Sequence, residues 1–183
     1  MTMVTRIGCR CLSWSKGRKN MEELKQRVYD ELARLDIKYK VVNHPPAMTT
    51  EEADEFIEGL EGVRSKTMFM CDKKKRRFYL FIMDDVKRID IKKIGEIIGD
   101  KQIRFAPAEC LKEVMNLEFG SVSPFGLIYD LDHAVKVYID KEILTEKIIT
   151  FHPNLNTATV FISMDDMFKF LDSTGNEYEV IEM

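Results

Sequence analysis

"KTMFMCDKKKRRFYLFIM" runs from Lys66 to Met83 and decides the fold. Its second half, Phe78–Met83, is six apolar residues with no alternation. A strand apolar on both faces belongs at the centre of a sheet, covered above and below. "KTMFM" (66–70) reads as a second strand. Between them lie five consecutive cations, Lys73, Lys74, Lys75, Arg76 and Arg77, which read most simply as a solvated hairpin tip.

Upstream, Leu24, Val28, Leu32 and Leu35 recur at helical spacing, so residues 21–35 form an amphipathic helix. "IKYKVV" (37–42) reads as a strand stopped by "NHPP" (43–46), and Thr49 with Glu52 fits a capping box that opens a short helix through about Ile57. Downstream, "IDIKKIGEIIG" (89–99) is a helix ended by glycine, "IRFA" (103–106) a short strand, and "PAECLKEVM" (107–115) a helix with proline in its first turn. Strands are expected at "GLIYDL" (126–131), "AVKVYI" (134–139), "IITF" (148–151), "ATVFIS" (158–163) and "EYEVIE" (177–182), with a helix at 164–171 capped by Ser163 and Asp166. Helices and strands mix without strict alternation, and neither a repeat nor a linker follows Met21. The reading is one α+β domain over residues 21–183, with a mixed or antiparallel sheet and surrounding helices.

The 183 residues suffice for one domain with a proper core, and 45% hydrophobic with 32% charged residues describes a globular chain rather than a disordered one. No stretch approaches the ~20 apolar residues that span a bilayer. Cys9, Cys11, Cys71 and Cys110 show no zinc-type pairing, and reduced thiols in the cytoplasm are expected. Residues 1–20 stand apart. They hold five cations, no Asp or Glu and the only Trp, without a signal-type apolar core. They are expected to be a disordered leader, a cloning remnant or the product of an upstream start. With those five cations set aside from the formal −3, residues 21–183 carry −8. A polyanion would therefore have to be gripped locally, and Lys73–Arg77 is the candidate place.

The chemistry-bearing candidates are few. "GSVSPFG" (120–126) is a bare, rigid turn: Gly120 and Gly126 allow close approach of a backbone or ligand, and Pro124 fixes a torsion. It lacks the ending of a phosphate loop and is not G-x-S-x-G, so Ser121 and Ser123 are weak nucleophiles. A connecting loop and a main-chain cradle both fit it. Lys66 shares a strand face with Met68 and Met70, either as a snorkelling end residue or as a charge aimed into a pocket. His152 ends a strand before Pro153 and Asn154, where it is structural or borders a pocket. His44-Pro45-Pro46 reads as a rigid turn.

The order of these pieces is distinctive: "HPPAMTTEEA", "SKTMFM", "FYLFIMDD", "GSVSPFG", then "FHPNLNTATVFISMDDMFKFL". Over residues 21–183 the chain resembles the freestanding prolyl-tRNA editing family (YbaK/ProX-like), in its prolyl-tRNA deacylase branch. The resemblance implies a compact α+β fold and hydrolysis of mischarged tRNA, chiefly alanine on the proline tRNA, without a cofactor or metal. It implies that Lys66, Gly120 and His152 are catalytic and that Thr67, Ser121, Val122, Ser123, Pro124, Phe125 and Gly126 border the substrate. Lys73, Lys74, Lys75, Arg76 and Arg77 would meet the tRNA; a prolyl-tRNA synthetase or elongation factor is a candidate partner. In the alanine-editing branch asparagine commonly follows the lysine; here Thr67 stands there, which leaves cysteine or serine editing as alternatives. A non-catalytic module binding tRNA or a synthetase is the competing class.

Overall fold

The fold is described by a computed structural model over residues 21–47 and 49–183; the leader expected at 1–20 lies outside the described residues. In chain order the elements are α1 (Met21–Arg34), β1 (Tyr39–Asn43), α2 (Thr50–Glu55), β2 (Val63–Cys71), β3 (Phe78–Asp84), α3 (Ile91–Ile97), β4 (Arg104–Phe105), α4 (Ala108–Met115), β5 (Val135–Asp140), β6 (Ile148–Phe151), β7 (Ala158–Ser163), α5 (Met164–Thr174) and β8 (Tyr178–Ile181). Two 3-10 segments lie at Pro124–Tyr129 and Lys141–Thr145.

One mixed sheet runs β1-β7-β6-β2-β3-β5-β8, with β4 added beside β2. β2 and β3 form the expected antiparallel hairpin, with Lys66 opposite Met83. β3 continues parallel to β5, and β2 parallel to β6. The double-faced apolar character of β3 is used in full. Leu80 and Ile82 enter the larger core under α1, α4 and α5, and Tyr79, Phe81 and Met83 enter a smaller one with Ile94 of α3. Burying such a strand on both faces contributes about 2 kcal/mol per large side chain before entropy is counted.

The apolar periodicity of α1 places Leu24, Val28 and Leu32 inward, and Thr49 caps α2 by accepting from the Glu52 peptide N–H. Gly99 takes a positive φ of 74° just past Ile98, the C-cap of α3, as a helix-ending glycine does. One expectation fails. Residues 126–131 are not a strand: Pro124–Tyr129 is a 3-10 helix. Ser123 caps it by accepting from the Phe125 N–H, Pro124 supplies a preset φ at its first turn, and the Gly126 N–H bonds the Ser123 carbonyl. An apolar run of six does not distinguish a strand from a buried helical turn by period alone. No helix among the described residues is long and apolar enough to cross a membrane.

Candidate active site

β2 changes partners along one edge. It lies beside β6 only at Val63 and Arg64 and beside β4 only at Met70 and Cys71. Between them, Ser65–Phe69 pair with β3 on the other edge and with no strand on this one among the described residues. The ends of β2 are buried and Arg64–Met68 are half-buried, so the central strand opens there.

Lys66 and Thr67 stand in this opening. Lys66 shares its face with Met68 and Met70, as strand alternation requires. Its amine donates to the Asp85 carbonyl at 2.7 Å and to the Lys87 carbonyl, fastening the turn that leaves β3. Thr67, half-buried, stands opposite Ile82 and alternates onto the face of Ser65.

His152 follows β6. Its Nδ1 lies 3.0 Å from the Ala158 carbonyl, an acceptor only, so Nδ1 carries the hydrogen and Nε2 keeps a lone pair. Burial, with His44 nearby, holds the imidazole below the ordinary histidine range, against the opposing effect of the Ala158 bond. A neutral imidazole with a committed Nδ1–H can accept a hydrogen bond or a proton at Nε2. His152 borders a small cavity shared with Ser65, Asp54 and Asp85. Lys66 is not among the residues lining it; its amine meets Asp85 at the backbone.

His44 is no mere turn residue. It is buried, stacked on Phe56 with ring centroids 5.0 Å apart, and set edge-on to His152 at 6.0 Å. Asp85 hydrogen-bonds Asp54; burial first, and that neighbour second, push its carboxyl up to about 6. Sequence reasoning missed His44, Asp54 and Asp85. Asp54 sits in "EEADE", which reads as a solvated helix face, and Asp85 opens the polar turn after a strand. Only the fold brings them together.

The glycine loop divides in two. Gly120 is exposed at φ +79°, with open space where a Cβ would stand. Ser123, Pro124, Phe125 and Gly126 are buried, and Phe125 packs against Phe151 and Phe170. A Cβ on Gly126 would stand 2.7 Å from Leu117 Cδ1 and 2.8 Å from Met115 Cε, so this glycine serves close packing from behind. The Ser121 N–H bonds the Glu118 carbonyl, whereas those of Gly120 and half-buried Val122 have no acceptor within the described protein. Asn154 joins the loop to the His152 turn, its Nδ2 donating to the Phe125 carbonyl at 3.4 Å.

The basic run forms the exposed β2–β3 turn, with Lys75 at φ +54°. The Asp72 carboxylate accepts from the Arg76 and Arg77 N–H groups and thereby closes the turn. Arg77 pairs with Asp100 at 2.9 Å. Arg104 donates to the Lys73 carbonyl, so a cation from β4 joins the five, and exposed Lys101 adjoins Asp100. The tip lies on the order of 20 Å from Lys66 along the hairpin.

Residues 44–170 match the family described as Aminoacyl-tRNA editing domain. The chain is 35% identical over 162 residues to Prolyl-tRNA editing protein ProX of Acetoanaerobium sticklandii, covering 88% of this chain and 98% of that one. It is 32% identical over 160 residues to Prolyl-tRNA synthetase associated domain-containing protein 1 of Mus musculus, across 85% and 94% of the two chains. A solved structure of a candidate trans-editing enzyme for prolyl tRNA synthetase superposes with a TM-score of 0.67 at 20% identity, over 87% of this chain and 97% of that one; this likeness is one of fold.

Proposed function

Because the chain belongs to the aminoacyl-tRNA editing domain family, we propose that it is a deacylase that hydrolyses the ester joining a wrong, small amino acid, alanine foremost, to the proline tRNA. The observation that carries the reading is His152, an imidazole kept neutral by burial, with its Nδ1–H committed to Ala158 and its Nε2 left as an acceptor beside the opening in β2. In the proposed reaction a water oxygen bonds to the acyl carbon and the ester C–O bond breaks. The proton lost by the water ends on the departing ribose oxygen, passed by His152 or by the neighbouring ribose hydroxyl. The Gly120 and Val122 N–H groups are the donors for the developing oxyanion, a contribution of several kcal/mol in sites of this kind. Lys66 has three N–H and uses two on carbonyls, which leaves one for a ribose or phosphate oxygen of the terminal adenosine. Lys73, Lys74 and Lys75, with Arg76, Arg77, Lys101 and Arg104, meet the tRNA backbone.

A synthetase pocket made for proline cannot strongly refuse a smaller amino acid, since one methylene is worth only ~1–3 kcal/mol. An editing site must apply the opposite test. The wall at Gly120–Val122 is main chain, anchored by buried Phe125, and yields less than side chains do. Incubating the purified chain with proline tRNA charged with alanine or with proline tests this: alanine should be released at least tenfold faster. Similar rates would refute the sieve. Preference for cysteine or serine would assign Thr67 to another specificity, and binding without turnover of any charged tRNA would leave a non-catalytic module.

A further inference from the structure

The amine of Lys66 is aimed by two main-chain carbonyls, those of Asp85 and Lys87, and both belong to the turn that leaves β3. A surface turn is ordinarily mobile, and Val86 at this one's tip is 83% exposed. Here the main chain is tied down. The Lys87 N–H bonds the Asp84 carbonyl, the Asp84 carboxylate accepts from the Val86 N–H, and the Asp85 N–H bonds the Arg64 carbonyl of β2. A further tie comes from the Lys87 side chain. Its amine lies 2.7 Å from the carboxylate of Asp140, the last residue of β5, which is wholly buried. It also lies 2.9 Å from Glu142, whose side chain is 67% exposed. The other Asp140 oxygen accepts from the Met183 N–H at 3.3 Å, just past β8. Burial alone would lower the Lys87 ammonium; the bonds to Asp140 and Glu142 outweigh it and hold the group above the ordinary lysine range. One residue thus binds the Lys66 amine through its carbonyl and a buried carboxylate through its side chain.

A buried ion pair is a poor device for stability alone. Taking both charges out of water offsets most of their attraction, and apolar residues of the same volume often serve as well. What such a pair supplies is one geometry. An apolar side chain at position 87 could fill its space in several rotamers, whereas an ammonium that must meet the Asp140 carboxylate is held in one. We infer that Lys87 and Asp140 are positioning residues for Lys66, an inference that rests on the deacylase reading above for what the amine then meets. Their pair pins the turn so that the Asp85 and Lys87 carbonyls hold two N–H of Lys66 and leave the third for a ribose or phosphate oxygen. Both residues act through Lys66 and not on the reacting atoms. Glu142, solvated and screened, adds little to the pin. Without the pin Lys66 keeps its charge and loses its aim, and a misplacement of about 1 Å can cost up to ~100-fold in rate.

Two variants of the full chain remove the pin and keep both peptide carbonyls: Lys87→Met, which keeps the length of the side chain, and Asp140→Asn, which keeps its shape. Each should lower single-turnover hydrolysis of alanine-charged proline tRNA by about tenfold at saturating protein, with affinity for the tRNA changed less than about twofold. Lys87→Arg, which keeps the charge, should retain roughly a third of the rate or more, and Glu142→Gln should stay within about twofold. In a chain already carrying Lys66→Ala, Lys87→Met should lower the residual rate less than about twofold, because its effect passes through the missing amine. A second readout needs no chemistry. In the proton–nitrogen correlation spectrum of the lysine ammonium groups, the Lys66 signal, assigned by its loss in Lys66→Ala, should be sharp in the unsubstituted chain and in Lys87→Arg. It should broaden or vanish in Lys87→Met and Asp140→Asn. An unchanged Lys66 signal in either of these two variants, equal losses with and without Lys66, or Lys87→Arg as damaging as Lys87→Met would overturn the inference and leave the deacylase reading intact. If no charged tRNA is cleaved while the Lys66 signal responds as stated, the deacylase reading fails and the pin stands.

Discussion

Asn154→Ala should cost about 2 kcal/mol and slow deacylation. The residue is 1% exposed and sits at φ +61°, with its N–H on the His152 carbonyl. Alanine in the left-handed region is penalised by ~1 kcal/mol, because its Cβ crowds the carbonyl without a side-chain bond in return. Loss of the tether to the Phe125 carbonyl adds ~1 kcal/mol. That figure is at the low end because the bond is 3.4 Å long and the side chain's Oδ1, buried without a partner, leaves with it. For a chain of this size ~2 kcal/mol corresponds to a Tm lower by roughly 4–8 °C. Asn154→Gly isolates the two terms: it still loses the tether but accepts the positive φ, so it should lose about half as much. Urea unfolding at constant slope gives the free energies, and single-turnover deacylation gives the functional cost of freeing the glycine loop from the His152 turn. Alanine within 0.5 kcal/mol of the unsubstituted chain, or glycine as damaging as alanine, would refute the reasoning.

Lys66→Ala should lower single-turnover deacylation at least a hundredfold while the chain still folds, with a stability loss of about 1–2 kcal/mol from the freed Asp85 and Lys87 carbonyls; near-normal hydrolysis would remove Lys66 from the mechanism, and His152→Ala should have the smaller effect. Replacing Lys73, Lys74 and Lys75 with Gln should raise apparent KM several-fold and flatten its dependence on salt; an unchanged salt slope would leave the hairpin tip a solvated turn. Stability should also respond to pH through the cavity, where His152 faces His44, Asp54 and Asp85, with Asp84 and Arg64 adjoining. The lowered imidazole contributes stability that is complete above the unfolded value near ~6.5 and declines as pH falls from there towards the folded one. Asp85 works oppositely: pushed up to about 6, it favours the fold at acid pH, and that contribution is lost as pH rises through 6. His152→Gln should remove the first slope and leave the second, as read from urea midpoints between pH 4 and 8; an unaltered profile would show that His152 does not titrate with folding.

Much of the architecture was legible because period and punctuation agreed. The helical spacing in α1, the cap at Thr49 and the continuous apolar run of β3 each led to the element observed. Residues 126–131 misled because six apolar residues fit either state, and the deciding signs, Ser123 as cap and Pro124 at the first turn, lie before the run. β5 runs parallel to β3, so a strand hairpin could not have delivered it. The site was legible only in part. Lys66, His152 and the glycine loop carry unusual residue types in unusual places. Asp54, Asp85 and His44 carry ordinary ones, and their significance comes from contacts across 31 residues in one case and more than 100 in the others.

The change of partner along β2 bears on the fate of the chain at high concentration. A sheet edge with free peptide groups is a template for a strand from another molecule, and long flat edges invite aggregation. Here the unpaired edge is in the middle of the sheet, four residues long (Ser65–Met68), and closed off at one end by β6 and at the other by β4 and the Ala106 N–H, which bonds the Phe69 carbonyl. Strands in proteins average five to six residues, longer than this gap. An incoming strand would collide with one border or the other before it gained a useful ladder. A nucleotide and its acyl group, more compact than a strand, would not. The protein can thus keep main-chain groups available to a small guest at the heart of its sheet without this gap offering a seed for self-assembly.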